Sequence, residues 1–159
     1  MRTTFIDTLM ELAEKDDRIW LLTGDVGYSV LEGFEAKFPD RFLNCGIAEQ
    51  NMMGVAAGMA LCGKQPWVYS LAGFPVTRCL EQIRNDVCHH NLDVKMISAG
   101  AWEQLGNSHR IINDEDRIVL GTLENMTQFF PRTADETRQM ALEMASRPSP
   151  CYIRLSRLK

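Results

Sequence analysis

Apolar positions recur along this chain with two alternating periods. Phe5, Leu9 and Leu12 stand at helical spacing within residues 4–15, with Thr3 or Thr4 placed to cap the first turn. Ile19-Trp20-Leu21-Leu22 is a short continuous apolar run that ends at Thr23-Gly24-Asp25, the pattern of a strand buried in a parallel sheet. Helical spacing returns over 29–38, and Pro39 stops it. A second strand covers 41–45 and ends at Gly46; a long helix follows over about 47–61. Trp67–Ser70 reads as the third strand, about 76–90 as a helix and Val94–Ser98 as the fourth strand. Residues 99–113 show no period and hold Gly100, Gly106 and Asn107; a loop this long inside a compact domain is usually functional. A short helix fits 114–122, a fifth strand Thr127–Phe130, a helix Ala134–Ser146 capped by Thr133, and a last strand Cys151–Leu155.

Strand and helix thus alternate about six times without a repeat or an internal linker. The expected fold class is α/β: a parallel sheet of about six strands with helices on both faces, forming a single domain over 1–159. Ligands of such sheets sit beyond the carboxyl ends of the strands. The turns at 23–28, 45–50, 70–75 and 98–110 all fall on that edge, so any site should draw on those four segments.

Composition narrows the partners. The 159 residues are 45% hydrophobic and 24% charged with a net charge of −4, which provides no basic field for nucleic acid. No apolar run reaches the roughly 18 residues that span a bilayer. The start Met-Arg-Thr-Thr-Phe-Ile-Asp has no apolar signal core, so a cytoplasmic protein is expected. Five cysteines, an odd number with no Cys-x-x-Cys, read as free thiols in a reducing compartment. Cys88-His89-His90 is not expected to hold a metal, because adjacent histidines on a helix diverge and no second ligand cluster follows. Gly24-Asp25-Val26-Gly27 is neither a dinucleotide fingerprint nor a P-loop, so a nicotinamide-dependent dehydrogenase lacks its glycines.

The richest segment runs from Asn44-Cys45-Gly46-Ile47-Ala48-Glu49-Gln50 through Asn51-Met52-Met53-Gly54-Val55-Ala56-Ala57-Gly58-Met59-Ala60. Each glycine inside a helix costs roughly 1 kcal/mol against alanine. Gly54, Ala57, Gly58 and Ala60 therefore point to close helix approach, either within the domain or at a subunit interface. Glu49 falls in the first turn. One reading is a carboxylate favoured by the helix dipole, worth a few tenths of a kcal/mol. The other starts from Ile47, Met52 and Met53, which make the surroundings apolar; a carboxyl group pressed into such a site has its pKa raised and can share a proton with a ligand nitrogen.

Gly46-Ile47-Ala48-Glu49-Gln50-Asn51-Met52 with Val55-Ala56-Ala57-Gly58 resembles the motif of the transketolase and deoxyxylulose-phosphate synthase families. Leu22-Thr23-Gly24-Asp25 upstream, Thr77–Arg84 downstream and the ending Pro148–Arg157 resemble the same families in the same order. The resemblance implies the pyrimidine-binding domain of a thiamine-diphosphate enzyme. In that family the glutamate of the Ala-Glu-Gln motif, here Glu49, hydrogen-bonds N1′ of the aminopyrimidine. That contact favours the 4′-imino form, which removes the proton from C2 of the thiazolium to give the ylide. An aromatic residue after the third strand stacks on the ring in the family, and Phe74 is the candidate for it, with core packing as the other reading and Pro75-Val76 implying a one-residue difference in length. Asp25 and Arg78 are further cofactor-binding candidates, Asp25 as support for the cofactor end of a neighbouring subunit or, alternatively, as a turn-forming aspartate.

The long loop departs from the family pattern. Ser98-Ala99-Gly100 stands at its start, Leu105-Gly106 replaces an Asp-Gly, and His109-Arg110 replaces His-Gln. The lost acid removes a partner for a sugar hydroxyl, so the resemblance does not extend to a standard pentose- or hexose-phosphate donor. Trp102, Glu103, His109 and Arg110 are expected to line a remodelled substrate pocket, with His109 also a catalytic candidate. No Gly-Asp-Gly diphosphate motif is present in these residues. The expectation is one subunit of a split enzyme, a heterotetramer whose other chain binds the diphosphate and most of the Mg²⁺; a piece of a longer protein is the competing reading. It would transfer a two-carbon ketol or related acyl-type carbanion. The alternatives are a subunit of an α-keto acid decarboxylase using the same cofactor and a non-catalytic partner subunit.

Overall fold

The computed structural model describes residues 1–71, 73–100, 111 and 114–156. Six strands form one sheet: β1 (Ile19–Thr23), β2 (Phe42–Asn44), β3 (Gln65–Leu71), β4 (Lys95–Ala99), β5 (Thr127–Phe129) and β6 (Cys151–Leu155), in the order β2-β1-β3-β4-β6-β5. Every pairing is parallel, with Leu21 opposite Trp67, Trp67 opposite Lys95 and Lys95 opposite Cys151. The α/β class, the strand count and the parallel sense expected from the alternating pattern are all present.

The helices are α1 (Arg2–Ala13), α2 (Glu32–Lys37), α3 (Glu49–Leu61), a composite α4 (74–88), α5 (Glu115–Leu120) and α6 (Ala134–Ser146). They divide between the two faces because successive side chains along each strand point opposite ways. Trp67 and Tyr69 of β3 join Phe5, Leu9, Phe34, Ala141 and Met144 in one core, with the Phe5 and Trp67 rings 5.7 Å apart. Val68 between them joins Met52, Met53, Ala56, Val76, Ile83 and Leu120 in the other. A one-residue slip of β3 would exchange the two sets, so burial on both faces fixes the register.

Several boundaries differ from the sequence reading. α1 begins at Arg2, so Thr3 and Thr4 lie inside it; no side chain caps it, and Met1 O accepts the first bond, from Phe5 N at 2.8 Å. α2 is shorter than 29–38 because the chain first turns at Gly27 and Ser29; Phe38–Pro39 ends it as expected. α4 consists of a π-helical segment Phe74–Arg78, a single α turn Leu80–Gln82 and a second π-helical segment Ile83–Cys88. Thr133 caps α6 as read, its Oγ1 accepting from Glu136 N at 3.1 Å.

The apolar fourth strand conceals Lys95, which is fully buried. Its Nζ pairs with Asp93 at 2.6 Å and donates to the carbonyls of Arg147 at 2.5 Å and Ser149 at 2.8 Å. A buried ammonium is tolerated only when paired and hydrogen-bonded. Here it ties the exit of α6 to the amino end of the sheet. All five cysteines are free, and among the described residues no helix is long and apolar enough to cross a membrane.

Candidate functional site

The carboxyl ends of β1 and β2 are joined by side chains. Asn44 Oδ1 accepts from Asp25 N at 3.1 Å and from Gly46 N at 3.0 Å, and its Nδ2 donates to Asp25 Oδ1 at 3.0 Å. Tyr28 Oη donates to the same Asp25 oxygen at 2.9 Å. These donors, Asn44 first, hold the Asp25 carboxyl below its ordinary range. Asp25 adopts φ +58°, a left-handed conformation that aspartate tolerates better than most residues. It faces Asn44 and Tyr28 beside α2, where it organises the turn.

The turn ahead of α3 is tight. Gly46 has φ +70°, and Ala48 N donates to Gly46 O at 2.8 Å. This delivers Glu49 as the first residue of α3. The helix N-terminus favours an acid there. Glu49 is only 5% exposed yet borders an open cleft of about 510 Å³, shared with Ile47, Ala48, Gln50, Asn51, Thr77 and Arg78. Its Oε1 accepts from Arg78 Nη1 at 3.1 Å, and among the described residues no hydrogen bond is made to Oε2. Gly24 packs alongside: a Cβ built there would lie 3.6 Å from both Glu49 Cγ and Met52 Cε. Met52 and Met53 are buried as expected, but Ile47 is 78% exposed, because it precedes the helix and turns outward. The surroundings of Glu49 therefore combine methionine beneath and a cation at the rim.

Phe74 opens the first π-helical segment of α4 and Arg78 closes it, so the two side chains meet on one face. The Arg78 guanidinium carbon lies 3.9 Å from the Phe74 ring centroid. A π turn holds one residue more than an α turn, which suits the length difference expected at Pro75-Val76.

Glu49 and Arg78 are thus in contact, Phe74 joins them through Arg78, and Asp25 stands on the neighbouring turn. Trp102, Glu103, His109 and Arg110 lie outside the described residues. Sequence reasoning missed Asn44 and Tyr28 as the groups that fix the Asp25 turn. Asn44 stood at the head of the richest segment, but nothing in its spacing ties it to a residue 19 positions earlier. It also missed Asp116, which is fully buried and accepts from Tyr152 Oη at 2.6 Å and from Arg154 Nη1 at 2.8 Å. Burial, reinforced by Asp116, pushes the Tyr152 phenol well above its ordinary range, keeping it a donor.

His89 Nδ1 stands 3.1 Å from Glu124 Oε1, and among the described residues no three metal-ligating side chains converge. Among the described residues nothing lies within 4 Å of a Cβ built at Gly54 or Gly58, so packing among them does not account for these two glycines.

Gly27 supplies a stability test of this edge. It has φ +94°, and a Cβ there would lie 2.6 Å from Leu31 Cδ1. Gly27→Ala is expected to destabilise the chain by about 2–3 kcal/mol, from the left-handed backbone and the overlap together. Urea denaturation measures this; a loss below about 0.5 kcal/mol would contradict the geometry.

Comparison with known proteins agrees with this architecture. The family model described as transketolase, pyrimidine binding domain, matches residues 1–159. An apulose-4-phosphate transketolase subunit of Phocaeicola vulgatus is 38% identical over 98% of this chain and 51% of its own length. The 6-deoxy-6-sulfo-D-fructose transketolase subunit SqwH of Clostridium sp. strain MSTE9 is 35% identical over 99% of this chain and 49% of its own. The chain therefore spans about half the length of the curated relatives it matches. A solved structure described as a split gene transketolase, inactive beta4 tetramer, superposes with a TM-score of 0.86 at 40% identity, covering 98% of this chain and 51% of that one. With the whole sequence matched and relatives above 30% identity, the chain belongs to the transketolase pyrimidine-binding domain family.

Proposed function

We propose that this chain is the pyrimidine-binding subunit of a thiamine-diphosphate-dependent, transketolase-like enzyme, working with a separate chain that binds the diphosphate and Mg²⁺. The observation that carries the reading is Glu49: a carboxyl group almost withdrawn from water, set on a helix start at the carboxyl edge of the sheet, facing an open cleft. The donor set fits the aminopyrimidine. A flat heteroaromatic ring with a basic nitrogen needs one acid in its plane and one apolar face, and Glu49 and Phe74 provide these from adjoining turns.

In this reading Glu49 holds a proton at the ring nitrogen, and Met52 and Gly24 keep its carboxyl pointed into the cleft. Phe74 fixes the plane of the ring. The Asn44–Asp25–Tyr28 bonds hold the two turns together so that the cleft keeps its shape. When bound, the cofactor supplies a nucleophilic carbon, and the residues of the cleft position and activate it. The exposed Gly54 and Gly58 face of α3 suits close approach by another subunit. The 99–113 segment, with Trp102, His109 and Arg110, would meet the donor. The names of the relatives, transketolase subunits, favour ketol transfer over keto-acid decarboxylation.

Reconstitution tests the reading. The purified chain, mixed with a candidate diphosphate-binding subunit, Mg²⁺ and thiamine diphosphate, is expected to turn over a ketose donor. Each chain alone is expected to be inactive. Turnover by this chain without a partner would overturn the split-enzyme reading.

A further inference from the structure

We propose that Arg78 takes the place that the aminopyrimidine would occupy against Glu49 and Phe74, and that it must leave both before the ring can enter. This inference rests on the function proposed above and adds a gate to the same site. A guanidinium is planar, carries donors along its edge and stacks on aromatic faces. Arg78 uses both properties at once: Nη1 lies 3.1 Å from Glu49 Oε1, and the guanidinium carbon lies 3.9 Å from the centre of the Phe74 ring. Those are the two contacts that a flat heteroaromatic ring with a basic nitrogen would make here. While Arg78 is in place, Glu49 Oε1 and the face of Phe74 that it covers are not open to a ring. Stacked rings stand about 4.5–7 Å apart by their centroids, so no second ring fits on the face that Arg78 covers.

The surroundings suit a movable group. The Arg78 side chain is 42% exposed while that of Glu49 is 6% exposed. The arginine is therefore the outer member, with the open cleft beside it. The guanidinium stands in water on its outer side, so solvent replaces part of what it gives up on leaving Glu49. Arg78 also ends the first π-helical segment, and Cys79, with φ −110° and ψ 11°, breaks the backbone before the α turn Leu80–Gln82 begins. The side chain thus springs from a joint in α4, where a change of rotamer need not disturb the buried Val76 and Ile83.

A gate lowers apparent affinity by the fraction of molecules in which it stands open. The test uses the complex assembled with its partner subunit and Mg²⁺, and reads thiamine diphosphate binding by calorimetry and by stopped-flow fluorescence, without turnover. Arg78→Met, similar in length but without charge or a flat donor edge, is expected to tighten the dissociation constant about threefold or more and to speed association. A threefold gain corresponds to an open state about one-third populated. Arg78→Lys, which pairs with Glu49 but does not stack, should fall between. Weaker binding by Arg78→Met would make Arg78 a holder of the cofactor and overturn the gate, as would unchanged affinity and rate. If no form of the complex, wild type included, binds thiamine diphosphate, the proposed function fails and the gate with it. Binding by the wild type that Arg78→Met weakens defeats the gate alone.

Discussion

Glu49→Gln is expected to lower the activity of the assembled complex by about two to four orders of magnitude while leaving assembly intact. General acid–base groups contribute typically about 10²–10⁴ in rate. The substitution keeps the size of the side chain and an oxygen for Arg78 Nη1, so the 3.1 Å contact and the buried methionines beneath it need not move. It removes the carboxylate charge facing Arg78 and the capacity to hold a proton at a ring nitrogen. Because the substrate is open, the cleanest measurement is exchange of the thiazolium C2 proton for deuterium in the bound cofactor, followed by NMR. Size-exclusion chromatography checks assembly, and thermal unfolding should change little. Exchange and turnover within about twofold of wild type would favour a subunit that stabilises the enzyme without taking part in its chemistry. Loss of exchange with assembly preserved would assign the activating acid to this chain.

The sheet was legible in the sequence because each buried strand is a short apolar run closed by a polar or glycine turn. Ile19–Thr23 and Lys95–Ala99 are marked in this way. The carboxyl-edge rule then brought Gly24, Glu49 and Phe74 to neighbouring turns without any contact being known. What stayed hidden depends on pairs that no period connects. Glu49 and Arg78 are 29 residues apart, and only the fold brings them to one cleft. The π-helical segments of α4 were invisible because a widened turn leaves the apolar spacing of Val76, Ile83 and Val87 nearly unchanged. Lys95 was passed over because a single charge inside an apolar run looks like an edge; its partners Arg147 and Ser149 enter 52 and 54 residues later. The role proposed for Glu49 came from family resemblance, since a first-turn acid is ordinary without it.

Asp116→Ala is expected to cost about 3 kcal/mol of stability, the largest loss expected from any single substitution along the carboxyl edge. Asp116 and Tyr152 are both fully buried, and the 2.6 Å bond between them joins α5 to β6. Removing one partner of a buried ion pair costs about 3–5 kcal/mol, and a neutral buried donor left without its bond costs about 1–3 kcal/mol. Arg154 retains Asp114 at 2.8 Å, which sets the expectation at the low end of the ion-pair range. Asp116→Asn keeps an acceptor for Tyr152 and should lose less. The contrast is Glu143→Ala: its 2.6 Å pair with Arg147 is nearly half exposed, and its removal should stay within about 0.5 kcal/mol. Urea denaturation of the three variants gives the comparison, and an Asp116→Ala cost below about 1 kcal/mol would show that the network is not a clasp. The consequence reaches the site. Glu115, next to Asp116, packs against Gly73, where a Cβ would lie 3.7 Å from its Oε1. Gly73 is the residue before Phe74. Loosening α5 therefore loosens the turn that carries Phe74, and on the function proposed above the complex assembled with Asp116→Ala should bind thiamine diphosphate more weakly even at temperatures where the chain remains folded.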